Sequence, residues 1–341
     1  MDEILFEFRG GAGRIMLNRP QALNALTHGM ILALDAKLAD WATDDAVDRV
    51  VIEGAGTRAF CAGGDIRDLY AVMGRGDAAF VETFYRDEYR LNHRIHTYPK
   101  PYVALIDGVV MGGGVGVSIH GSHRVVTENA LFAMPETGIG FFPDVGGAWF
   151  LPRMPGEIGM YLGLTGTRLG PADALYCGVA THYVPAENLT ETLDELDELV
   201  SGVADLGPAP LAEHRAAIDR CFSGDSIEAI IEALEAEAME TEDGDWAAET
   251  LAVMAAKSPT SQKVAFRQMR RGAGLDFAAA MALEFRLSQR FCAGADFREG
   301  IRAAVIDKDR DPTWRPAGLA EVSEADVEAY FAPLAGGELN L

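Results

Sequence analysis

The sequence predicts an α/β core followed by a helical C-terminal region. Short apolar runs that suit strands buried on both faces alternate with helical patterns and glycine corners, which is the pattern of α/β proteins. This alternation stops after about Pro185. The segments beyond it have the apolar spacing of helices and few strand candidates. We therefore expect an α/β core over residues 1–200 and a helical region, ending in a charged tail, over residues 201–341.

The first elements illustrate the pattern. "ILFEF" (4–8) and "GRIMLN" (13–18) predict two short strands separated by a glycine-rich turn. A helix should run from about Thr27 to Trp41, because apolar residues recur there at helical spacing and Thr27 is a suitable N-cap. "DRVVIEG" (48–54) is a continuous apolar run and is expected to be a buried strand.

The same order repeats further along the chain. "PYVALIDG" (101–108) predicts a buried strand, residues Gly112 to His120 should open a helix, and residues 123–136 should supply two more strands. Residues 68–98 are polar and aromatic and predict one or two helices over the sheet. Three later stretches have helical patterns: residues 189–206, 226–240 and 245–258.

The chain is strongly acidic. It has 52 Asp and Glu residues against 29 Lys and Arg residues, a formal net charge of −23. This charge argues against nucleic acid or an anionic membrane as a partner, because both repel an acidic surface. An anionic ligand would need a local basic patch. Solubility alone accounts for the acidity.

The cysteines and the N-terminus bear on cofactors and location. The four cysteines are scattered without CxxC spacing, so neither a disulfide framework nor a zinc site is expected: Cys61, Cys177, Cys221 and Cys292. "MDEILFEFRGG" lacks the basic and apolar regions of a secretory signal, and no apolar stretch approaches the roughly 20 residues that span a bilayer. A cytoplasmic protein is predicted.

Two glycine-rich corners follow predicted strands. "AFCAGGDI" (59–66) and "MGGGVG" (111–116) expose backbone amides that no side chain shields. Taken singly, each is as well explained by a turn or by tight packing, and neither matches a nucleotide-binding fingerprint. Together they could direct two amides at one point, which is how an oxyanion hole stabilises a carbonyl oxygen that gains negative charge.

Two acids lie in an apolar, Gly- and Pro-rich stretch, residues 132–152. Pro143 and the glycines disfavour a helix between Glu136 and Asp144, so both acids should lie on loops beyond strand ends. Apolar surroundings raise the pKa of a carboxyl group and suit it to acid–base catalysis. The alternative is structural: one acid caps a helix and the other pairs with an arginine such as Arg153. The histidines lie in neither a G-x-S-x-G nor an H-E-x-x-H motif, so a serine triad or zinc hydrolase is not expected.

A resemblance to a known family rests on four motifs in order. "NRPQALNAL", "AFCAGGDI", "PYVALIDGVVMGGGVG" and "FAMPETGIGFFPDVGG" resemble the crotonase (enoyl-CoA hydratase/isomerase) superfamily over roughly the first 200 residues. "MPETGIGFFPDVGG", with both acids, resembles the 3-hydroxyisobutyryl-CoA hydrolase branch. The tail, from "SPTSQKVAFRQM" to "DFREGIRAAVIDKDRDPTWRP", extends that likeness to nearly the whole chain.

The resemblance implies a crotonase-like spiral of ββα units that binds an acyl-CoA. By motif, the amides of Gly64 and Gly113 would hold the thioester oxygen. Glu136 and Asp144 would be the catalytic acids, with Glu136 acting either as nucleophile or as general base. Glu88, in "RDEYRLN", would contact the substrate together with Gly113 and the two acids.

One departure from the family pattern bears on the reaction. Typical enoyl-CoA hydratases carry a second catalytic glutamate two residues beyond the triple glycine, and here that residue is Gly116. Hydrolysis of an acyl-CoA thioester, 3-hydroxyisobutyryl-CoA of valine breakdown, is therefore the expected activity. The alternatives are an enoyl-CoA hydratase or isomerase that uses Glu136 alone, and a non-catalytic acyl-CoA-binding subunit.

The resemblance also bears on cofactors and assembly. No metal or redox cofactor is expected, because CoA arrives as part of the substrate. The family commonly forms trimers or hexamers, so a homo-oligomer is expected. The expected partner is thus a small acyl-CoA, without nucleic acid or membrane.

Overall fold

The computed structural model describes residues 2–189, 206–240 and 243–341. Contacts divide the described residues into two units. The first unit is built from the described parts of residues 1–65, 87–133 and 168–212, and the second from those of residues 66–86, 134–167 and 213–341. Residues 190–205 of one predicted helix, and with them the expected boundary at residue 200, lie outside the described residues. That boundary stays a prediction.

The first unit contains two sheets. A six-stranded sheet has the order β1-β2-β3-β5-β7-β9, and a three-stranded sheet has the order β4-β6-β8. All neighbouring strands are parallel except the β1–β2 pair. The bounds are β1 Ile4–Arg9, β2 Ala12–Leu17, β3 Arg49–Gly54, β4 Ala59–Cys61, β5 Tyr102–Ile106, β6 Val109–Met111, β7 His123–Val126, β8 Leu131–Ala133 and β9 His182–Tyr183.

Consecutive strands alternate between these two sheets. The pairs β3–β4, β5–β6 and β7–β8 each give one strand to the large sheet and the next to the small sheet. Helical segments follow the first two pairs, so the chain winds as a spiral of ββα units, and the predicted fold class is confirmed. Residues 123–136 do form two strands, but β7 pairs with β5 and β9 whereas β8 pairs with β6. They belong to different sheets because each turn of the spiral feeds both.

The helices of the described chain confirm most of the sequence assignments. Thr27 caps α1 by accepting a hydrogen bond from the amide of Met30 at 3.3 Å. Most of residues 68–98 lie in two helices, in agreement with the prediction of one or two helices there. The helices are α1 His28–Thr43, α2 Ile66–Gly74, α3 Ala78–His96, α4 Gly113–Gly116, α5 Gly147–Phe150, α6 Ile158–Thr165, α7 Pro171–Tyr176, α8 Pro210–Glu213, α9 Arg215–Phe222, α10 Ile227–Glu240, α11 Gly244–Ala255, α12 Pro259–Gly272, α13 Phe277–Ala293, α14 Asp296–Ile301 and α15 Glu324–Phe331.

The helix expected over residues 112–120 is shorter than its pattern suggests. Only α4, four residues long, is helical, and its start is three successive glycines. Glycine has a low helix propensity because it loses the most backbone freedom on ordering. The glycines therefore fit a short turn of helix whose amides stay accessible, rather than a long helix.

Each unit has its own apolar core. In the first unit, one face of the large sheet buries Ala12, Val51, Val103, Leu105 and Val125 together. In the second unit, stacked aromatic rings centre on Phe141, whose ring centroid lies 4.3 Å from that of Phe297 and 4.5 Å from that of Phe142. Across the described ranges, no helix is long and apolar enough to cross a membrane.

Candidate active site

The two glycine corners lie together in the first unit. They follow β4 and β6, which are parallel neighbours, so both corners leave the same edge of the small sheet. A Cβ atom built on Gly113 would lie 3.1 Å from the amide nitrogen of Gly64, and one built on Gly63 would lie 3.6 Å from the amide nitrogen of Gly113. The structure therefore brings the two predicted amides side by side.

Neither amide is used by the fold. Among the residues that the structure describes, neither Gly64 nor Gly113 donates a backbone hydrogen bond to a protein acceptor. Gly113 is the first residue of α4, where helical amides have no acceptor within the helix. Two adjacent, unused donors are suited to a single oxygen that accepts both.

Glu88 of α3 borders this pair of amides. Its Oε1 lies 2.8 Å from the position that a Cβ atom on Gly113 would occupy, and its side chain is buried. One turn further along α3, the buried Asn92 donates from Nδ2 to the carbonyl of Gly116 at 3.0 Å. The acid predicted to contact the substrate therefore lies at the glycine corner.

Cys61, at the end of β4, is not a nucleophile. Burial, together with the charge of Glu88, raises the pKa of its thiol to about 12. The thiolate is the reactive form of cysteine, and it is not populated at neutral pH under these conditions.

The two predicted catalytic acids lie in the second unit. Glu136 begins a single turn of 3₁₀ helix, Glu136–Ile139, and Asp144 lies in the loop before α5. Their side chains are only 5% and 6% exposed. Phe141 and Phe142, which lie between them in the sequence, are buried in the aromatic core. Asp144 therefore lies on a loop, as predicted, whereas Glu136 lies in a short 3₁₀ turn. Both acids are in apolar surroundings, as predicted.

Burial controls the ionisation of Glu136. It raises the pKa of Glu136 well above the ordinary value, the charge of Asp144 raises it further, and the charge of Lys257 opposes both. Within the described part of the chain, Oε2 of Glu136 is buried and has no hydrogen-bond partner. A buried polar atom without a partner costs free energy, so it indicates a group kept for a ligand or a reaction.

Three further residues near the acids were not anticipated from the sequence. Glu284 of α13 is fully buried and accepts hydrogen bonds from the loop that follows Asp144. Gln268 of α12 donates to the carbonyl of Pro143 at 2.7 Å. Lys257 acts on Glu136 through its charge. These residues lie more than a hundred positions from the acids in sequence and have no local motif, so no sequence signal indicates them.

The arginine named in the structural alternative for the acids bonds to other groups. Arg153, the suggested arginine partner, donates from Nη1 to the carbonyls of Trp149 and Gly272 and from Nη2 to that of Leu275. Its donors are therefore occupied by backbone carbonyls. In the described ranges, no group of three or more His, Cys, Asp or Glu residues is arranged to hold a metal ion.

The chain is similar to known proteins over nearly its whole length. The model of the enoyl-CoA hydratase/isomerase family matches residues 12–331. A Danio rerio protein is 48% identical over an alignment of 360 positions, which covers 99% of this chain and 92% of that protein. A Homo sapiens protein is 43% identical over 357 residues, which cover 99% and 91%. Both relatives are named 3-hydroxyisobutyryl-CoA hydrolase, mitochondrial.

Two solved structures are similar over the whole chain. A carnitinyl-CoA dehydratase from Mycobacterium thermoresistibile has a TM-score of 0.91 and 44% identity, with 100% of this chain and 99% of that chain covered. An enoyl-CoA hydratase from Rhodobacter sphaeroides has a TM-score of 0.90 and 42% identity, with 100% of both chains covered. These names describe hydration chemistry, whereas the two relatives above are named as hydrolases.

The names of the curated relatives place those proteins in mitochondria. The cytoplasmic location predicted for this chain stays a prediction, and so does a trimeric or hexameric assembly. The resemblance inferred from four motifs and the tail is confirmed over nearly the full length, and this chain belongs to the enoyl-CoA hydratase/isomerase family.

Proposed function

We propose that the protein hydrolyses an acyl-CoA thioester, with 3-hydroxyisobutyryl-CoA as the substrate. The observation that carries the proposal is Glu136, a buried carboxyl group with an unpartnered oxygen and a raised pKa beside Asp144. The position where hydratases of the family carry their second glutamate holds Gly116, which has no side chain. Relatives at 43% and 48% identity with hydrolase names support the same choice.

In the proposed reaction, the amides of Gly64 and Gly113 donate hydrogen bonds to the thioester oxygen. They stabilise the negative charge that this oxygen gains when the carbonyl carbon becomes tetrahedral. Loss of one donor of this kind typically costs on the order of 3 kcal/mol of transition-state stabilisation. Backbone donors have fixed positions, so this stabilisation requires no rearrangement during the reaction.

Glu136 promotes attack on the carbonyl carbon by one of two routes. As a general base it takes a proton from water while the water oxygen bonds to the carbonyl carbon; the C–S bond then breaks and the CoA thiolate takes the proton. As a nucleophile it displaces CoA to form an anhydride, which water then hydrolyses. In both routes Asp144 orients the water or the substrate hydroxyl group, or manages the proton. Single-turnover hydrolysis in heavy-oxygen water separates them, because only the nucleophilic route can place label in Glu136.

A direct assay tests the proposed function. The protein is incubated separately with 3-hydroxyisobutyryl-CoA and with crotonyl-CoA, and free thiol and enoyl absorbance are followed. Thiol release from the first substrate is the expected result. Absence of thiol release from several acyl-CoA thioesters at high enzyme concentration would overturn it.

Hydration is the second candidate, because the two similar solved structures are described as a dehydratase and a hydratase. In that reaction Glu136 would act alone on water that adds across the double bond. Loss of enoyl absorbance from crotonyl-CoA without thiol release would select this function. Neither signal would favour a non-catalytic acyl-CoA-binding role.

Glu136→Gln removes the acid–base group while keeping the side-chain shape. We expect kcat to fall by about 1,000-fold, within the range for a lost general acid or base, with little change in KM. The matched control is Glu235→Gln on the exposed face of α10, which should leave both constants unchanged. Full turnover in Glu136→Gln would remove Glu136 from the mechanism.

A further inference from the structure

The loop that carries Asp144 is held by a carboxyl group from a distant helix. Glu284 of α13 is fully buried, and each of its oxygens accepts one backbone hydrogen bond. Oε2 accepts from the amide of Gly146 at 2.8 Å, and Oε1 accepts from the amide of Ala148 at 2.7 Å. Glu284 thus binds the end of the loop, at Gly146, and the first turn of α5, at Ala148, starting two residues beyond Asp144.

The same loop has an unfavourable backbone. Val145 has φ of +50° and Gly146 has φ of +95°. Glycine adopts such angles freely, but a β-branched residue in the left-handed region is an outlier that persists only when surrounding contacts enforce it. Val145 follows Asp144 directly, so the backbone conformation of Val145 sets the direction of the chain next to Asp144.

A second buried side chain holds the other side of Asp144. Nε2 of Gln268 donates to the carbonyl of Pro143 at 2.7 Å, and the Gln268 side chain also hydrogen-bonds to Glu284. Both side chains are fully buried. Asp144 therefore lies between two anchored segments, Pro143 on one side and Gly146 to Ala148 on the other, and the two anchors are joined to each other.

We propose that Glu284 is a positioning residue for the hydrolysis, assisted by Gln268: it holds Val145 in the left-handed conformation and thereby fixes Asp144. This inference rests on the proposed function, since the role of Asp144 does. The anchors make no contact with the substrate in this scheme. Their effect on catalysis passes through the geometry of the loop.

The kinetic test uses Glu284→Gln in the full-length protein. A carboxamide has one acceptor oxygen, so one of the two loop amides loses its acceptor and faces an N–H group instead. We expect kcat to fall by about 100-fold with KM little changed, since displacement of a catalytic group by about 1 Å has effects of that size. Asp173→Asn is the matched control, because Asp173 is also buried and accepts a backbone amide, that of Leu211 at 2.8 Å, but makes no bond to this loop.

A rescue experiment separates positioning from a general loss of stability. Val145→Gly removes the energetic cost of the left-handed conformation. The double variant Glu284→Gln/Val145→Gly should therefore have a kcat about tenfold higher than that of Glu284→Gln, after correction for the effect of Val145→Gly in the wild type. A stability defect alone would not be rescued, because deletion of a buried side chain destabilises further. If Glu284→Gln does not fold, Gln268→Met replaces it, with the same expected loss of kcat and the same rescue.

The outcomes distinguish the two proposals. Thiol release by the wild type with unchanged kcat in Glu284→Gln overturns the positioning role and leaves the hydrolase intact. No thiol release by the wild type overturns the hydrolase, and a crystal structure of Glu284→Gln then decides the positioning role. A loop in which Val145 relaxes to negative φ and Asp144 moves supports it, and an unchanged loop overturns it.

Discussion

The two units contribute different chemistry to the proposed reaction. In the first unit the stabilising groups are the backbone amides of Gly64 and Gly113, which carry no net charge and do not titrate. In the second unit the reactive groups are the side chains of Glu136 and Asp144, and burial and the charge of Asp144 raise the pKa of Glu136. We therefore expect the first unit to set the strength of transition-state stabilisation and the second to set the pH dependence.

The two units also achieve precision by different means. The amides are fixed by strand pairing and by close packing: a Cβ atom on Gly113 would lie 2.8 Å from Oε1 of Glu88 and 3.1 Å from the amide nitrogen of Gly64. The acids lie on irregular backbone and need anchors, which Glu284 and Gln268 provide. Substitutions in the first unit should therefore act through steric exclusion, and those in the second through charge and loop geometry.

Gly113→Ala tests the first unit and has the largest expected effect. The added methyl group would displace Glu88 and the amide of Gly64, so kcat should fall by about 100-fold or more, as when an oxyanion-hole donor is lost. The pH dependence of kcat should be unchanged in shape, because neither Glu136 nor Asp144 is altered. Thiol release across the pH range measures both.

Gly170→Ala is the control for that substitution. Gly170 precedes α7 at φ of −77°, and no atom lies within 4 Å of a Cβ atom built on it, so alanine should be neutral there. Activity of Gly113→Ala equal to that of Gly170→Ala would refute the assignment of the amides.

Glu88→Gln tests whether the first unit also selects the substrate. If the Glu88 carboxylate accepts the hydroxyl group of the acyl chain, the variant should lose about tenfold in kcat/KM with 3-hydroxyisobutyryl-CoA, the cost of one hydrogen bond to a charged group. Isobutyryl-CoA, which lacks the hydroxyl group, should lose much less. Equal losses with both thioesters would show that Glu88 does not read the hydroxyl group.

The sequence predicted the first unit more completely than the second. Each glycine corner alone could be a simple turn, but two corners that each follow a predicted strand could direct amides at one point, and the resemblance identified the amides as those of Gly64 and Gly113. Glu88 was identified only through the resemblance, because nothing in the pattern of α3 distinguishes it from an exposed helical acid. The structure shows that Glu88 is buried and that its Oε1 lies beside Gly113.

The second unit was predicted only where the acids share a stretch with apolar residues. Glu136 and Asp144 could be recognised because each lies among Phe, Pro and Gly residues, where a charge has a desolvation cost. Glu284 sits in an ordinary helical pattern, and its partners lie 138 and 136 positions away in sequence. Long-range anchoring of this kind depends on tertiary packing, which local sequence patterns do not encode.

Lys257→Met tests the electrostatics of the second unit. Its positive charge lowers the pKa of Glu136 against the effect of burial. Without that charge the pKa of Glu136 should rise further, and because Glu136 works in its ionised form, the acid limb of the kcat/KM profile should move to higher pH. The control is Lys263→Met, since Nζ of Lys263 is paired with Glu228 at 2.7 Å. An acid limb at the same pH in both variants would contradict the proposed influence of Lys257.

The smallest expected effect is on the thermal stability of the protein. It tests the second unit without reference to the reaction. The pKa of Glu136 is raised above its ordinary value of 4.5 by burial. A group of this kind contributes its full stability below the ordinary pKa, and that contribution is lost as the pH rises through the raised value. Glu136→Gln stays neutral at every pH, so it should be more stable than the wild type at neutral pH, by about 2 °C in Tm.

The difference in Tm between Glu136→Gln and the wild type should disappear as the pH is lowered toward 4.5, where Glu136 becomes protonated in both the folded and the unfolded chain. Thermal unfolding at several pH values measures it, with the exposed Glu235→Gln as the control that should show no such trend. A wild type as stable as Glu136→Gln at neutral pH would mean that the fold compensates the buried charge. The ionisation of Glu136 would then not be unfavourable, and this property would no longer distinguish Glu136 from an ordinary structural acid.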